Sequence, residues 1–258
     1  EWLLNLFSIG QYGVHMFFVI SGFVIPWAMF HAKYQLKDFF KFFFKRLVRL
    51  EPPYIFSIIL ALTFLYLRET VLGKENTHIQ ISATQVMLHF GYLIPFFESY
   101  QWLNPVYWTL AIEFQYYILI ALLFIPLIRS PLFVRAFMYM VILTLACFFE
   151  PIYIFSWLPI FLLGILMFLY KVNTIQKTEF AIALSFTIAF CLYKFPLASA
   201  IYYILPVAAI YFFATTKIKI LDYFGKMSYS NYLIHPIIGS SFNNYFSHSG
   251  PEPCADLQ

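Results

Sequence analysis

The segment Gly10–Met29, GQYGVHMFFVISGFVIPWAM, constrains this chain more than any other. From Gly13 onward it is an apolar run long enough to cross a bilayer. Yet it carries Gly13, His15, Ser21, Gly22 and Pro26. The basic run Lys33, Lys37, Lys41, Lys45, Arg46 and Arg49 follows at once. A helix that only anchors a protein needs neither an internal His nor internal Gly residues, so the stretch reads as part of a site.

The rest of the chain is equally apolar. Its 258 residues are 62% hydrophobic and 11% charged, where a soluble domain carries about 25% charged residues. No single aqueous core can cover so much apolar surface, which predicts an all-α polytopic membrane protein. The net charge of +4 is small and its basic residues gather at span ends. That pattern reads as topology and excludes nucleic acid as a partner. The three cysteines suggest no disulfide framework, and no metal-ligand spacing is present. Cys147 and Cys191 sit in apolar runs as small core residues, and no signal-peptide pattern is visible. Residues 1–247 are expected to form one membrane domain, and residues 248–258 (SGPEPCADLQ and the residue before) a polar tail, foreign or disordered.

Apolar runs of spanning length fall at 13–30, 53–72, 105–128, 132–150, 152–170, 180–196, 199–216 and 228–247. The shorter segment 84–97 suits a re-entrant or interfacial element. Lys and Arg are retained on the cytoplasmic side. With the 31–51 loop placed inside, alternation puts Arg129, Arg135, Lys171, Lys177, Lys217, Lys219 and Lys226 inside as well. Segment 73–104, Glu150 and Lys194 then lie outside, Lys194 snorkelling to the interface. The first visible span runs inward, so one more helix is expected before Glu1.

Ionisable groups at membrane depth mark function by default. Glu113 lies eight residues beyond Pro105, ~12 Å into its helix at 1.5 Å per residue, with Trp108 and Gln115 nearby. Structural pairing with a neighbouring helix is the alternative. Arg46 and Arg49, three apart, share a helix face just before Pro52–Pro53, where guanidinium groups suit phosphate. Positive-inside charge is the alternative there, and the preferred reading of Lys33, Lys37 and Lys41. His235, followed by Pro236, is mid-span after the polar run Ser228, Tyr229, Ser230, Asn231 and Tyr232. It is either a satisfied structural His or a ligand-binding one. His15, near the outer edge of its span, is interfacial or functional.

Four segments together, GVHMFFVISGFVI, FKRLVRLEPPY, NPVYWTLAIEFQYY and GKMSYSNYLIHPII, resemble in order and spacing the membrane acyltransferase 3 family of integral-membrane O-acyltransferases. The resemblance covers Gly10 to about Phe246. It implies a bundle of roughly ten helices, about eight of them visible here. It implies an acyl-CoA donor, usually acetyl-CoA, taken from the cytoplasm, and a carbohydrate or lipid-linked glycan acceptor across a bacterial inner membrane. By this resemblance Arg46 and Arg49, with Lys45 beside them, would meet the CoA phosphates. Trp108 and Glu113 match the family's Trp…Glu motif. Ser228, Tyr229, Tyr232 and His235 match its late Ser-Tyr…His motif. His15 and Ser21, with Tyr229 and Tyr232, would line the cavity. The family's first helix, which carries a His that is a leading candidate for the base, is expected to lie before Glu1.

The leading expectation is therefore O-acylation, with a base deprotonating an acceptor hydroxyl that attacks the thioester. The base is the family's first-helix His, oriented or replaced by Glu113, with Trp108 and His235 in the catalytic set. A transporter or flippase of an anionic or acylated solute is the alternative, as is an inactive homologue.

Overall fold

The segment Ile154–Lys171, IFSWLPIFLLGILMFLYK, has no polar face, and a helix apolar all round has to be surrounded. The computed structural model bears this out. It describes residues 13–72, 81–97, 99–104, 106–213 and 232–234. Eight α-helices are described: α1 (Gly13–His31), α2 (Phe39–Leu72), α3 (Ala83–Phe90), α4 (Tyr107–Arg129), α5 (Leu132–Phe148), α6 (Ile154–Lys171), α7 (Lys177–Lys194) and α8 (Ala200–Phe213). No strand occurs among the described residues. Four helices are long and apolar enough to cross a membrane: α1, α2, α4 and α6. The described parts of α5 and α8 are apolar but shorter. The expected span at 228–247 and the tail at 248–258 lie outside the described residues, apart from 232–234.

The chain divides into two compact units, residues 1–46 with 111–216, and residues 47–110 with 217–258. In the first, α6 is the hub. It packs on α1, α5, α7 and α8, and its middle from Leu158 to Leu169 is buried without interruption. Its tightest neighbour is α1. A Cβ on Gly22 would stand 2.3 Å from the Phe161 carbonyl oxygen, and one on Gly164 would stand 2.1 Å from the Val19 carbonyl oxygen. Both obstacles are backbone and cannot swing away. The glycines of the opening segment thus serve close helix packing, as small residues do where membrane helices touch. Phe18 stacks on Phe161 at 4.7 Å beside this contact.

The basic segment departs from expectation. In place of a loop over 31–51, one helix runs from Phe39 through Pro52 and Pro53 to Leu72. Lys, Arg, Leu and Phe all tolerate helix, and no Gly interrupts them. The proline pair lacks two amide hydrogens, so the carbonyls of Val48 and Arg49 lose their usual partners.

In the second unit, α3 starts at Ser82, whose hydroxyl accepts from the Gln85 amide at 3.1 Å. Tyr54 stacks on Tyr92 at 5.0 Å and meets Tyr107 edge-on at 4.9 Å.

Gly164→Ala or Gly22→Ala should push α1 and α6 apart and destabilise the protein by about 1–3 kcal/mol. Gly13→Ala, with nothing within 4 Å of the new methyl, should leave stability unchanged. Thermal unfolding in detergent micelles checks this, and equal melting of all three variants would refute the contact.

Candidate functional site

Glu113 lies on α4 and is only 5% exposed. A buried carboxylate is costly unless donors meet it. The donor comes from the next turn of the same helix: Tyr117, four residues on, gives its hydroxyl hydrogen to Glu113 Oε1. The face of the Tyr117 ring carries a cation, the Arg46 guanidinium, 5.8 Å from the ring centroid. Arg46 also covers Phe42, one turn back on α2, at 5.5 Å. Phe42 meets Tyr117 edge-on at 6.4 Å. Two residues singled out by sequence, Arg46 and Glu113, are thereby joined through Tyr117, which sequence reasoning missed. The signal was present in the i, i+4 spacing of Glu113 and Tyr117.

All of this sits in the first unit. Next to it, Tyr116 is 1% exposed, stacks on Phe161 at 4.1 Å, and has no hydrogen-bond partner for its hydroxyl among the described residues. Gln115 accepts the Ile154 amide at 3.0 Å and so ties α4 to the start of α6. The arrangement offers a carboxylate that can take a proton, a phenol that holds it, and a cation on the far side of the phenol.

The other basic residues are differently placed. Lys45 and Arg49 are exposed, and with exposed Lys41 they recur every fourth residue along α2. That spacing puts them on one stripe. Arg46 falls off this stripe and is half-buried. The exposed partner of Arg49 is therefore Lys45 rather than Arg46.

His15 does not sit in an interface. It is 6% exposed, with Trp157 and Phe195 edge-on, both at 5.6 Å, and Tyr203 at 6.3 Å. Ser21 is buried beside Gly22. Arg135, expected as a topological charge, is a buried partner: its Nε and Nη2 donate to the two oxygens of Glu179 at 2.8 and 2.7 Å. Lys194 turns inward to the Ala146 carbonyl and lies over the Phe195 ring at 5.8 Å, rather than snorkelling outward.

In the second unit, Asn104 caps α4, accepting the Val106 amide at 3.2 Å, and its amide donates to the Leu233 carbonyl at 3.0 Å. Thr109 gives its hydrogen to the Val106 carbonyl at 2.8 Å. The hydroxyl of Tyr232 therefore donates to Thr109, at 3.1 Å. Trp108, the residue before Thr109, is half-buried. Ser57 likewise spends its hydrogen on the Tyr54 carbonyl at 2.8 Å and accepts from Tyr107 at 2.8 Å, so it is not a poised nucleophile. His89, fully buried, uses both ring nitrogens: Nδ1 donates to the Gln85 carbonyl at 2.7 Å and Nε2 accepts the Leu103 amide at 3.1 Å. Ser228, Tyr229 and His235 lie outside the described residues. No group of three or more potential metal ligands occurs among the described residues.

A family model described as "Acyltransferase domain" matches residues 1–254. The chain belongs to the membrane acyltransferase 3 family. Curated relatives include the O-acetyltransferase OatA of Staphylococcus aureus, strains NCTC 8325 / PS 47, COL and MRSA252, each 32% identical over 129 residues. That stretch is 47% of this chain, and the chain covers about a fifth (21%) of each relative's length. No solved structure gives a significant match. Acyltransferase 3 membership fits apolar helices of membrane-spanning length, with no strand among the described residues.

Burial holds the His89 imidazole below its ordinary value of about 6.5, the bond to the Gln85 carbonyl opposing this in part. A protonated ring would lose the Leu103 bond. The unfolded segment therefore binds the proton more readily, and stability is full above about pH 6.5 and falls as pH drops below it. Hydrogen exchange at the Leu103 amide should accelerate, relative to its intrinsic rate, between about pH 7 and pH 5. Unchanged protection over that range would contradict the neutral-imidazole assignment.

Proposed function

We propose that this acyltransferase 3 chain is a membrane O-acyltransferase that moves an acyl group, in the first instance acetyl, from acyl-CoA on the cytoplasmic side to a hydroxyl of a cell-envelope or exported carbohydrate. The observation that carries this reading is Glu113, buried on α4 and held by Tyr117 under the Arg46 cation. The Staphylococcus aureus relatives are O-acetyltransferases by name, which agrees with it.

In this reading Glu113 takes the proton of the acceptor hydroxyl. The oxygen attacks the thioester carbonyl, a C–O bond forms and the C–S bond breaks. The acyl group leaves on the acceptor, and CoA departs as its thiol with the proton returned. Tyr117 fixes the carboxylate, so the proton-accepting oxygen is oriented before substrate arrives. The exposed Lys45 and Arg49 on α2 meet the phosphates of CoA, the guanidinium by paired hydrogen bonds. By the family motifs Trp108 and His235 are proposed for the catalytic set, and Tyr229 and Tyr232 for the substrate cavity.

Membranes carrying the protein, supplied with radiolabelled acetyl-CoA, should label envelope glycan. Glu113→Gln should lower the rate about 10²–10⁴-fold. Lys45→Ala and Arg49→Ala should raise the KM for acetyl-CoA with kcat nearly kept, less so at high salt, where the charges are screened in wild type as well. Absent label with wild type, or full activity in Glu113→Gln, would overturn the reading. Net movement of a solute without acylation would instead favour a transporter.

A further inference from the structure

A groove of about 640 Å³ lies between α5 and α7 in the first unit, away from Glu113 and the basic stripe of α2. Its walls are Leu132, Met140 and Leu143 on α5 and Ile182, Ala183 and Phe186 on α7. Leu132, Met140, Ile182 and Phe186 are each more than half exposed, so the groove opens outward. Around a helix bundle of this composition the outside is hydrocarbon.

One end of the groove differs chemically from the rest. Arg135 and Glu179 form its floor as a two-bond ion pair, with the Tyr139 hydroxyl 3.5 Å from Glu179. Arg135 is thereby neutralised. Thr174, Gln176 and Thr178 line the same end. Gln176, the N-cap of α7, makes no side-chain cap, so the first amides of α7 lack an acceptor within the helix. One further cation, Lys177, is exposed where α7 begins, between the lining residues Gln176 and Thr178. From Glu179 to Phe186 the apolar trough runs about 10 Å at 1.5 Å per residue. An apolar trough open to lipid, ending in hydroxyls and the first turn of α7 with the exposed Lys177 beside it, matches an amphiphile with an anionic head.

We infer that this groove holds an anionic phospholipid, one acyl chain lying between α5 and α7 and its phosphate at the Lys177–Thr178 end. The bound lipid seals the outer side of the α5–α7 pair and keeps water from the Arg135–Glu179 bond. This site is independent of acyl transfer, and its test does not depend on enzyme activity.

Native mass spectrometry of the purified full chain, exposed to phosphatidylglycerol and to phosphatidylcholine with identical acyl chains, reads the site directly. Wild type should retain phosphatidylglycerol about fivefold better, the effect of roughly one cation near the head group. Ala183→Trp, which fills the trough, should abolish retention of both lipids at this site. Lys177→Gln, at an exposed position, should erase the preference while keeping chain binding. Ala181→Trp, exposed on α7 but off the groove, should behave as wild type. If Ala183→Trp fails to give a monodisperse protein, Lys177→Gln decides alone. Equal retention of the two lipids by wild type, or an undiminished preference in Lys177→Gln, would overturn the proposal.

Discussion

A polar atom buried in hydrocarbon or in a core of Phe, Leu and Ile has no water within reach, so the chain itself must supply its partner. Most of the buried charged and amide side chains follow that constraint, whereas the Tyr116 hydroxyl does not. Glu113 is met by Tyr117, Arg135 by Glu179, Lys194 by a backbone carbonyl, and Gln115 by an amide of the neighbouring helix. Removing one member of such a buried charged pair typically costs about 3–5 kcal/mol. These bonds therefore fix side-chain positions that loops on an aqueous surface would leave free. For Glu113 the proposed consequence is chemical as well, a carboxylate held in place to accept a proton.

The packing that holds the first unit together rests on bare backbone. α6 offers apolar side chains on every face, and α1 approaches it where Gly22 and Gly164 remove the two side chains that would keep them apart. Phe18, Phe161 and Tyr116 then stack in sequence beside that crossing, carrying α4 into the same core. Gln115 anchors α4 to the first turn of α6. The site residue Glu113 thus inherits its position from a helix contact several residues away.

Much of this was legible from composition and period. The lengths of apolar runs located α1, α4, α5, α6, α7 and α8 to within a few residues, because in lipid the hydropathic run and the helix are nearly the same object. The basic segment was misread as a loop, since charge suggested solvent while Lys, Arg and Leu are good helix formers that a proline pair downstream did not stop. Charge alone could not tell Arg135 from Lys177: one is paired with Glu179, forty-four residues away, and that pairing is long-range. His15 looked interfacial because its position along the span was known and its neighbours Trp157, Phe195 and Tyr203 were not. Glu113 was found by its cost, whereas Tyr117 was hidden among twenty tyrosines. The family motif drew attention to the Glu and the Trp, and the geometry added the phenol between carboxylate and cation.

The proposed acyl transfer needs Glu113 and Tyr117 to act as one device. A double-mutant cycle on the rate of acetyl-label transfer tests that most directly, using Glu113→Gln, Tyr117→Phe and the pair. If the phenol works only by holding the carboxylate, the double variant should be no slower than Glu113→Gln alone. If the two losses multiply, the residues act separately and Tyr117 does not work by holding Glu113.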